Sequence, residues 1–412
     1  VKLASSLALL ASAAGLSHAA SAQESAPFPA PDSSQTVAPG ETAPVVTVSD
    51  GAGINDATGW SFKPRGRIQL DAGVVDTPDG SGLPDGSGEE VRRARLGFSG
   101  TTPGDFGFKV EVDFASGSVE FADAVITRQV GNVELTVGQH NNFQSLEEVT
   151  SSLHTSFLER AAFTDAFGFQ RRLGVSAQYL KSDLLLQAGV FGQPIDSDGD
   201  RDWSFDARAV YMPRIGGTQL HLGGSAHRAR LNEGEALRFR QRPGVHFTDQ
   251  RFIDTGRFAA ESETGFGLEA AAIAGRFHFA AEGFRQSVDR PVAADASFFG
   301  GYVEAGYFLT KGDRRGYKDG KFDRIRPERP VTEGGVGAVQ LNVRYDYLDL
   351  VDEDIVGGKQ NALGLALIWA PTANTRLMAE YERLSYDFAE PTLTGDTSYR
   401  VDAFGVRAQF DF

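Results

Sequence analysis

From Trp60 onward the sequence alternates apolar and polar residues with a period of two, in short runs that recur to the last residue. In AVQLNVRYDYLDL, Val339, Leu341, Val343, Tyr345 and Tyr347 share one parity, and Gln340, Asn342, Arg344 and Asp346 share the other. Side chains alternate between the two faces of a strand, so this run is a strand with one apolar and one polar face. The pattern recurs in RIQLDA, where Ile68, Leu70 and Ala72 oppose Arg67, Gln69 and Asp71. It recurs again in FGFKVEVDF, where Phe106, Phe108, Val110, Val112 and Phe114 oppose Lys109, Glu111 and Asp113. Glycine (48) and phenylalanine (30) are abundant and methionine (2) is rare, a mixture that suits many short half-buried strands better than helices.

The periodicity predicts sixteen strands, beginning near residues 60, 90, 105, 118, 132, 171, 182, 203, 217, 262, 275, 297, 336, 360, 375 and 399. Sharing residues 60–412 among them leaves about 22 per strand and connection, and a tilted membrane strand takes roughly 9 to 11. Short connections are expected at Pro103-Gly104, Ser116-Gly117, Lys181-Ser182, Pro213 to Gly216 and Pro371 to Asn374. Long ones are expected at 76–89, 140–170, 193–202, 229–261, 311–335 and 351–359. Short turns at one end and long loops at the other characterise a transmembrane β-barrel.

A secreted sandwich or propeller also alternates. Here, however, the polar parity is heavily charged, and Tyr345, Tyr347, Trp369, Tyr381 and Tyr386 fall towards strand ends, where membrane interfaces gather aromatic side chains. No segment beyond the N-terminus is apolar enough for a membrane helix, so membrane residence would require a closed barrel.

Three regions follow. Lys2, the apolar run LASSLALLASAAGL and Ala20-Ser21-Ala22 have the layout of a secretory signal, residues 1–22. Residues 23–59, rich in Pro, Ser, Thr and Ala, read as a flexible linker. Residues 60–412 form the barrel. The formal charge of −15 argues against a nucleic-acid partner, and the absence of cysteine excludes thiol catalysis, disulfides and thiolate metal sites.

One long connection is helix-like: Ser145 to Phe163 places Leu146, Val149, Leu153, Phe157 and Leu158 at helical spacing, and Ser145 with Glu148 matches a capping box. An apolar loop face needs cover, and the inside of the barrel wall supplies it. This predicts an inward-folded third loop presenting Ser145, Glu147, Glu148, Ser151, Ser152, Glu159 and Arg160 at a constriction.

The runs GQHNNFQSLEEVTSSLHTSFLERA and FGFQRRLGV, followed by GGYVEAGYFLTKGDRRGYKDGKFDRIRPERPV and GGVGAVQLNVRYDYLDL, resemble the phosphate- and polyphosphate-selective porins O and P of Gram-negative outer membranes. The resemblance covers the whole barrel. It implies a homotrimer of sixteen-stranded barrels in the outer membrane, among lipid and lipopolysaccharide, with the third loop folded inward and arginines along an anion path. By resemblance to outer-membrane proteins generally, the terminal aromatic residue Phe412 is expected to be read by the barrel-assembly machinery. Many relatives carry a lysine before the inward loop, where this chain has His140-Asn141-Asn142, so the fold carries over and the solute does not.

On the polar parity lie Arg65, Arg67, Arg93, Arg95, Lys109, Arg172, Arg208, Arg276, Arg344 and Arg407, and the permanent planar charge of the guanidinium groups suits the passage of an oxyanion. The same parity carries Asp71, Glu111, Asp113, Glu134, Glu269, Glu282, Glu304, Asp346, Glu380 and Asp411, so wall ion pairs and an anion ladder are both open readings. Asp196 to Asp200 has the carboxylate spacing of a calcium loop without its downstream glutamate, and reads as a polar turn. Arg324 to Pro330, RIRPERP, reads as a basic external vestibule. Ser225 and His227 share the inward parity, and no H-E-x-x-H or G-x-S-x-G motif accompanies them. The expected protein is a passive porin for small anions, phosphate or polyphosphate among the candidates, without cofactor, metal or chemical step; a general or cation-tolerant pore is the alternative, ahead of a barrel hydrolase or a plugged structural barrel.

In the last seven residues, VRAQFDF, Phe404, Val406, Ala408, Phe410 and Phe412 should face lipid, and Arg407, Gln409 and Asp411 the lumen. This strand should pair with the first, near Arg65 to Ala72, because an open edge in lipid leaves backbone groups unsatisfied.

Overall fold

The computed structural model describes residues 47–49, 53–55, 59–115, 117–196 and 201–412. The expected signal, most of the expected linker and the core of the Asp196 to Asp200 turn lie outside the described residues. Within the linker stretch, Thr47–Ser49 and Gly53–Asn55 are strands paired with each other, and Ile54 pairs with Phe62, so the stretch is not linker throughout.

Sixteen strands build the wall: β1 (Ser61–Asp76), β2 (Gly86–Thr102), β3 (Phe106–Asp113), β4 (Glu120–Val130), β5 (Val133–Asn141), β6 (Arg171–Lys181), β7 (Leu184–Phe191) and β8 (Arg201–Tyr211) form the first half. The second half is β9 (Thr218–Leu231), β10 (Ser262–Ala274), β11 (Phe277–Asp289), β12 (Ala296–Phe308), β13 (Ala338–Asp352), β14 (Ile355–Ala370), β15 (Thr375–Asp387) and β16 (Tyr399–Asp411). The largest departures from the expected starts are at β2, which begins at Gly86, and β14, which begins at Ile355.

Each strand pairs antiparallel with the next, and β16 pairs with β1 from Asp411↔Arg67 to Asp402↔Asp76, which closes the sheet. At the seam Gly66 and Phe412 exchange both backbone hydrogen bonds, at 3.2 and 3.1 Å. A Cβ on Gly66 would stand 2.3 Å from the Phe412 ring, so glycine is what allows the ring to lie there. No helix among the described residues is long and apolar enough to cross a membrane; the strands do so.

The wall is apolar outside and polar inside, the reverse of a soluble protein. Ile68, Leu70, Leu363 and Leu365 are exposed, whereas Gln69, Gln340, Arg344 and Arg407 are at most 2 % exposed. Tyr345, Tyr381 and Trp369 face outward as expected. Tyr386 does not: it lies on the inner parity of β15, buried against Phe252 and Tyr399. Its closeness to a strand end was misleading, because parity fixes the face.

Two connections depart from the expected alternation. The β13–β14 link is tight, with only Glu353 and Asp354 between the strands. Residues 309–337, between β12 and β13, lie at the same end as the short turns and Phe412, so the expected external loop is at the opposite end of the barrel. Inside this segment Gly316–Lys318 and Lys321–Asp323 form a hairpin turning at Asp319-Gly320, both with positive φ (50° and 74°), as a two-residue Asp-Gly turn requires.

Candidate functional site

The polar inner parity and the segments that contact it make up the interior. Residues 142–170 follow β5 and contain two short helices, α1 (Leu146–Val149) and α2 (Ala162–Ala166), rather than one helix over 145–163. Ser145 caps α1 as its sequence predicts, its hydroxyl accepting from Glu148 N at 3.0 Å. The continuous helix is broken where the N–H groups of Leu158 and Ala162 go to side chains instead, and side chains of the wall hold the rest of the segment. Glu282 accepts from Leu146 N (2.8 Å) and Glu147 N (2.7 Å), Glu380 from Leu158 N (2.6 Å), Asp346 from Ala162 N (2.9 Å), and Glu304 from the Ser156 hydroxyl (2.8 Å). All four carboxylates are inner-parity residues of β11, β15, β13 and β12. Arg376 donates to Leu153 O and to Thr155 O (2.8 Å), and Arg315 donates to His154 O.

Apolar packing completes this docking. Phe163 stacks on Phe284 at 6.1 Å, Phe167 meets Phe239 at 5.5 Å, and Phe239 meets Phe298 at 5.4 Å. Phe239 comes from the long β9–β10 connection, which therefore shares one core with α2 and the inner face of β11 and β12. From the turn end, the hairpin at 316–323 reaches the same interior: Arg208 donates to Gly320 O at 2.8 Å and His221 Nδ1 lies 2.7 Å from the Tyr317 hydroxyl. Arg324 of RIRPERP is ion-paired with Asp411 near the seam, not displayed at an external mouth.

The opposite inner wall, β1 to β6, is different. Arg67 pairs with Glu111 (3.0 Å), Arg95 with Glu111 (3.2 Å) and Asp113 (2.7 Å), Lys109 with Asp123, and Arg171 with Asp123 (2.8 Å). Arg93 donates to Gln69 Oε1 at 2.9 Å, and Arg172 lies on the same inner face. Five cations (Arg67, Arg93, Arg95, Lys109 and Arg171) thus meet three carboxylates (Glu111, Asp113 and Asp123).

The other expected cations stand elsewhere. Arg208 is bound to Glu269 (2.6 Å); Arg344 is bound to Glu147 (2.8 Å) and Glu304 (2.9 Å) and lies 4.2 Å over the Phe157 ring; Arg407 is bound to Asp71 (2.6 Å) and Glu159 (3.0 Å). All three are almost fully buried, and a buried guanidinium held by carboxylates ties wall to loop. Arg65 bonds Ser99 at the exposed turn end, and Glu134 faces inward near the same end. Arg276 corrects its expected placement: it sits in the tight β10–β11 turn, 4.7 Å over the ring of Tyr307, an outer-parity residue of β12.

The loop residues divide likewise. Ser151 and Ser152 accept from Arg67 at 3.4 and 3.2 Å. Arg160 donates to the carbonyls of Glu147, Glu148 and Thr150, closing the segment on itself. Glu159 takes two bonds from Arg92, at 2.8 and 2.9 Å. Burial alone would raise the Glu159 carboxyl, but Arg92 and Arg407 hold it well below the usual range. Burial raises Glu148, against the pull of Arg160. A cavity of about 190 Å³ lies above these groups, lined by Arg92, Arg160, Arg242, His246, Glu148 and Glu159.

Arg92, Arg171, Asp123 and Lys321 were not among the expected site residues. Arg92 reaches the interior because Gln69 pairs with Arg93 while Leu70 pairs with Val91, so Arg92 is the extra residue of a β-bulge and both arginines point inward. Two adjacent arginines in a strand are the sequence trace of it. Lys321 projects from the 316–323 hairpin with Arg208, Lys109, Asp319 and Asp123 around it; counting connections would have assigned it to the turn end. Ser225 donates to Gln144 O (2.6 Å), and His227 lies between Asp206 (2.8 Å) and Glu263 (3.2 Å), so the two do not form a Ser–His pair.

The family model described as phosphate-selective porin O and P matches residues 62–412. An uncharacterized protein of Caulobacter vibrioides is 48% identical over 368 residues, covering 85% of this chain and 74% of its own length. Among solved structures, the anion-selective porin from Comamonas acidovorans is similar with a TM-score of 0.56 at 13% identity, over 86% of this chain and 100% of that one. The outer membrane channel DcaP of Acinetobacter baumannii gives 0.52 at 17%, over 87% and 99%. OmpT of Vibrio cholerae, in-vitro folded and in trimer form, gives 0.54 at 11%, over 86% and 100%.

Proposed function

The chain belongs to the phosphate-selective porin O and P family, and from that premise we propose that it is an outer-membrane pore for small anions, phosphate among them, narrowed by residues 142–170. The observation that carries this reading is the unequal use of charge around the interior. Glu282, Asp346 and Glu380 of β11, β13 and β15 are engaged by backbone N–H groups of the third loop, so their oxygens are taken up by docking. Across from them, Arg67, Arg93, Arg95, Lys109 and Arg171 outnumber their carboxylate partners, and Lys321 adds a further cation. An anion moving along that wall exchanges one set of donors for the next, and shared carboxylates keep each site weak enough to release it.

Family membership supports passive diffusion rather than catalysis and an outer-membrane location. The trimer form of OmpT favours a homotrimer here, in a lipid and lipopolysaccharide membrane reached through an export signal at residues 1–22. Phe412 serves as the assembly signal in this reading.

The test is a planar-bilayer measurement of reversal potential in gradients of potassium chloride and potassium phosphate. The wild-type potential should have the sign of anion preference. Lys321→Glu, an exposed position, and Arg93→Gln should each move it towards cations with the barrel intact. A cation-selective wild type, or potentials unmoved by both substitutions, would refute the anion path.

A further inference from the structure

The outer face of β9, β10 and β11 departs from the smooth convex surface of a barrel. Small residues, Gly224 on β9 and Gly283 on β11, floor a hollow of about 1280 Å³, and Leu222, Phe266, Leu268 and Phe299 stand around it. Leu268 is 76% exposed, more than a side chain on a covered face would be. The lining is almost wholly apolar, as an acyl chain requires.

One outward cation lines this hollow, and a second stands beyond it towards the loop end. Arg285 lines it, on the outward parity of β11, and Arg230 projects outward near the loop end of β9. Both are exposed, and neither guanidinium has a hydrogen bond or ion pair among the described residues. Between them Arg228 is already held by Asp289 (3.0 Å) and Thr264 (2.5 Å). Strands β9 and β11 flank β10, and the register sets Arg230 four residues nearer the loop end than Arg285, so the two stand roughly 16 Å apart, a span that suits a headgroup carrying two phosphates. An outward guanidinium beside lipid is costly unless an anion meets it.

We infer that this face binds a doubly phosphorylated, multiply acylated lipid of the loop-side leaflet, with an acyl chain in the hollow, one phosphate on Arg285 and the other towards Arg230. Guanidinium and phosphate form paired, charge-assisted hydrogen bonds, which select a phosphate monoester over a neutral headgroup. The site rests on the outer-membrane placement of the barrel and is independent of which ions it conducts.

The experiment uses the full barrel, purified in detergent and stripped of lipid, then incubated with diphosphoryl lipid A or with the same lipid freed of both phosphates. Native mass spectrometry counts lipid retained per barrel. Wild type should retain the phosphorylated lipid about tenfold better, the scale of one charge-assisted interaction, and the R230Q/R285Q double variant should lose that preference while still binding the phosphate-free lipid as wild type does. Gly283→Leu should lower retention of both lipids; a Cβ there meets the Phe299 ring at 3.4 Å, an ordinary contact, so the barrel should fold. Equal retention of the two lipids by wild type, or an unchanged preference in the double variant, would overturn the proposal. Dissociation of an oligomer by Gly283→Leu in lipid-free detergent would also overturn it, assigning the face to contacts between copies. Unchanged bilayer conductance of the variants separates this result from any failure of the anion-path reading.

Discussion

Replacing Glu282 with glutamine should release the third loop without unfolding the barrel. The Glu282 carboxylate bonds the first two N–H groups of α1, Leu146 N at 2.8 Å and Glu147 N at 2.7 Å, and accepts from the Tyr302 hydroxyl at 2.9 Å. Those N–H groups have no partner within a helix, so a carboxylate there completes the cap that Ser145 begins. Glutamine keeps one acceptor but turns an amide N–H₂ towards the other N–H. One hydrogen bond is lost and a buried donor is left unsatisfied, which costs about 1–3 kcal/mol. At about 1.4 kcal/mol per decade, the undocked population should rise roughly five- to a hundredfold. Hydrogen exchange of peptides covering Ser145 to Thr150 reads this directly, and single-channel current should show brief excursions to higher conductance. Unaltered exchange at Leu146 and Glu147 in a folded Glu282→Gln barrel would refute the docking role of the carboxylate.

Two further outcomes follow from loop and seam geometry. Burial, then the positive charges of Arg376, Arg324 and Arg315, push the His154 imidazole down to about 2; released, it would titrate near 6.5 and take up a proton that the docked form refuses. Docking is therefore complete above about pH 6.5 and weakens as pH falls below it, by about 2 kcal/mol at pH 5. His154→Leu should remove this acid sensitivity in hydrogen exchange of residues 150–158, and an equal pH dependence in the variant would exclude His154 as its source. At the seam, Gly66→Val would drive a side chain into the Phe412 ring, and deleting Phe412 removes the backbone pair with Gly66. Both should slow appearance of the heat-modifiable folded band in membranes, and wild-type kinetics in both would refute a role for this contact in assembly.

The seam and the wall were legible because both are local or periodic properties. Which face Ile68, Gln69, Arg407 and Phe410 take depends only on parity, and a wrong parity would expose charge to lipid. Strand number and closure followed from the same rule. Parity failed at Arg92, where the bulge inserts one residue, and proximity to a strand end misled at Tyr386 and Arg276. The helix expected over 145–163 failed because, at Leu158 and Ala162, side-chain acceptors more than a hundred residues away outcompete its own carbonyls.

By itself, then, the sequence determined an inside-out, closed antiparallel sheet, its strands and its closing pair, since a period of two is written along each strand. Only the tertiary structure decided which charges remain available inside it. Arg344 and Arg407 look the same in sequence as Arg93 and Arg95, yet the first two are locked by Glu147, Glu304, Asp71 and Glu159. Asp71 and Glu304 stand directly opposite them on the neighbouring strands, and Glu147 and Glu159 come from the third loop, Glu159 standing 248 residues from Arg407. Closure of the sheet, rather than any local pattern, brings them together.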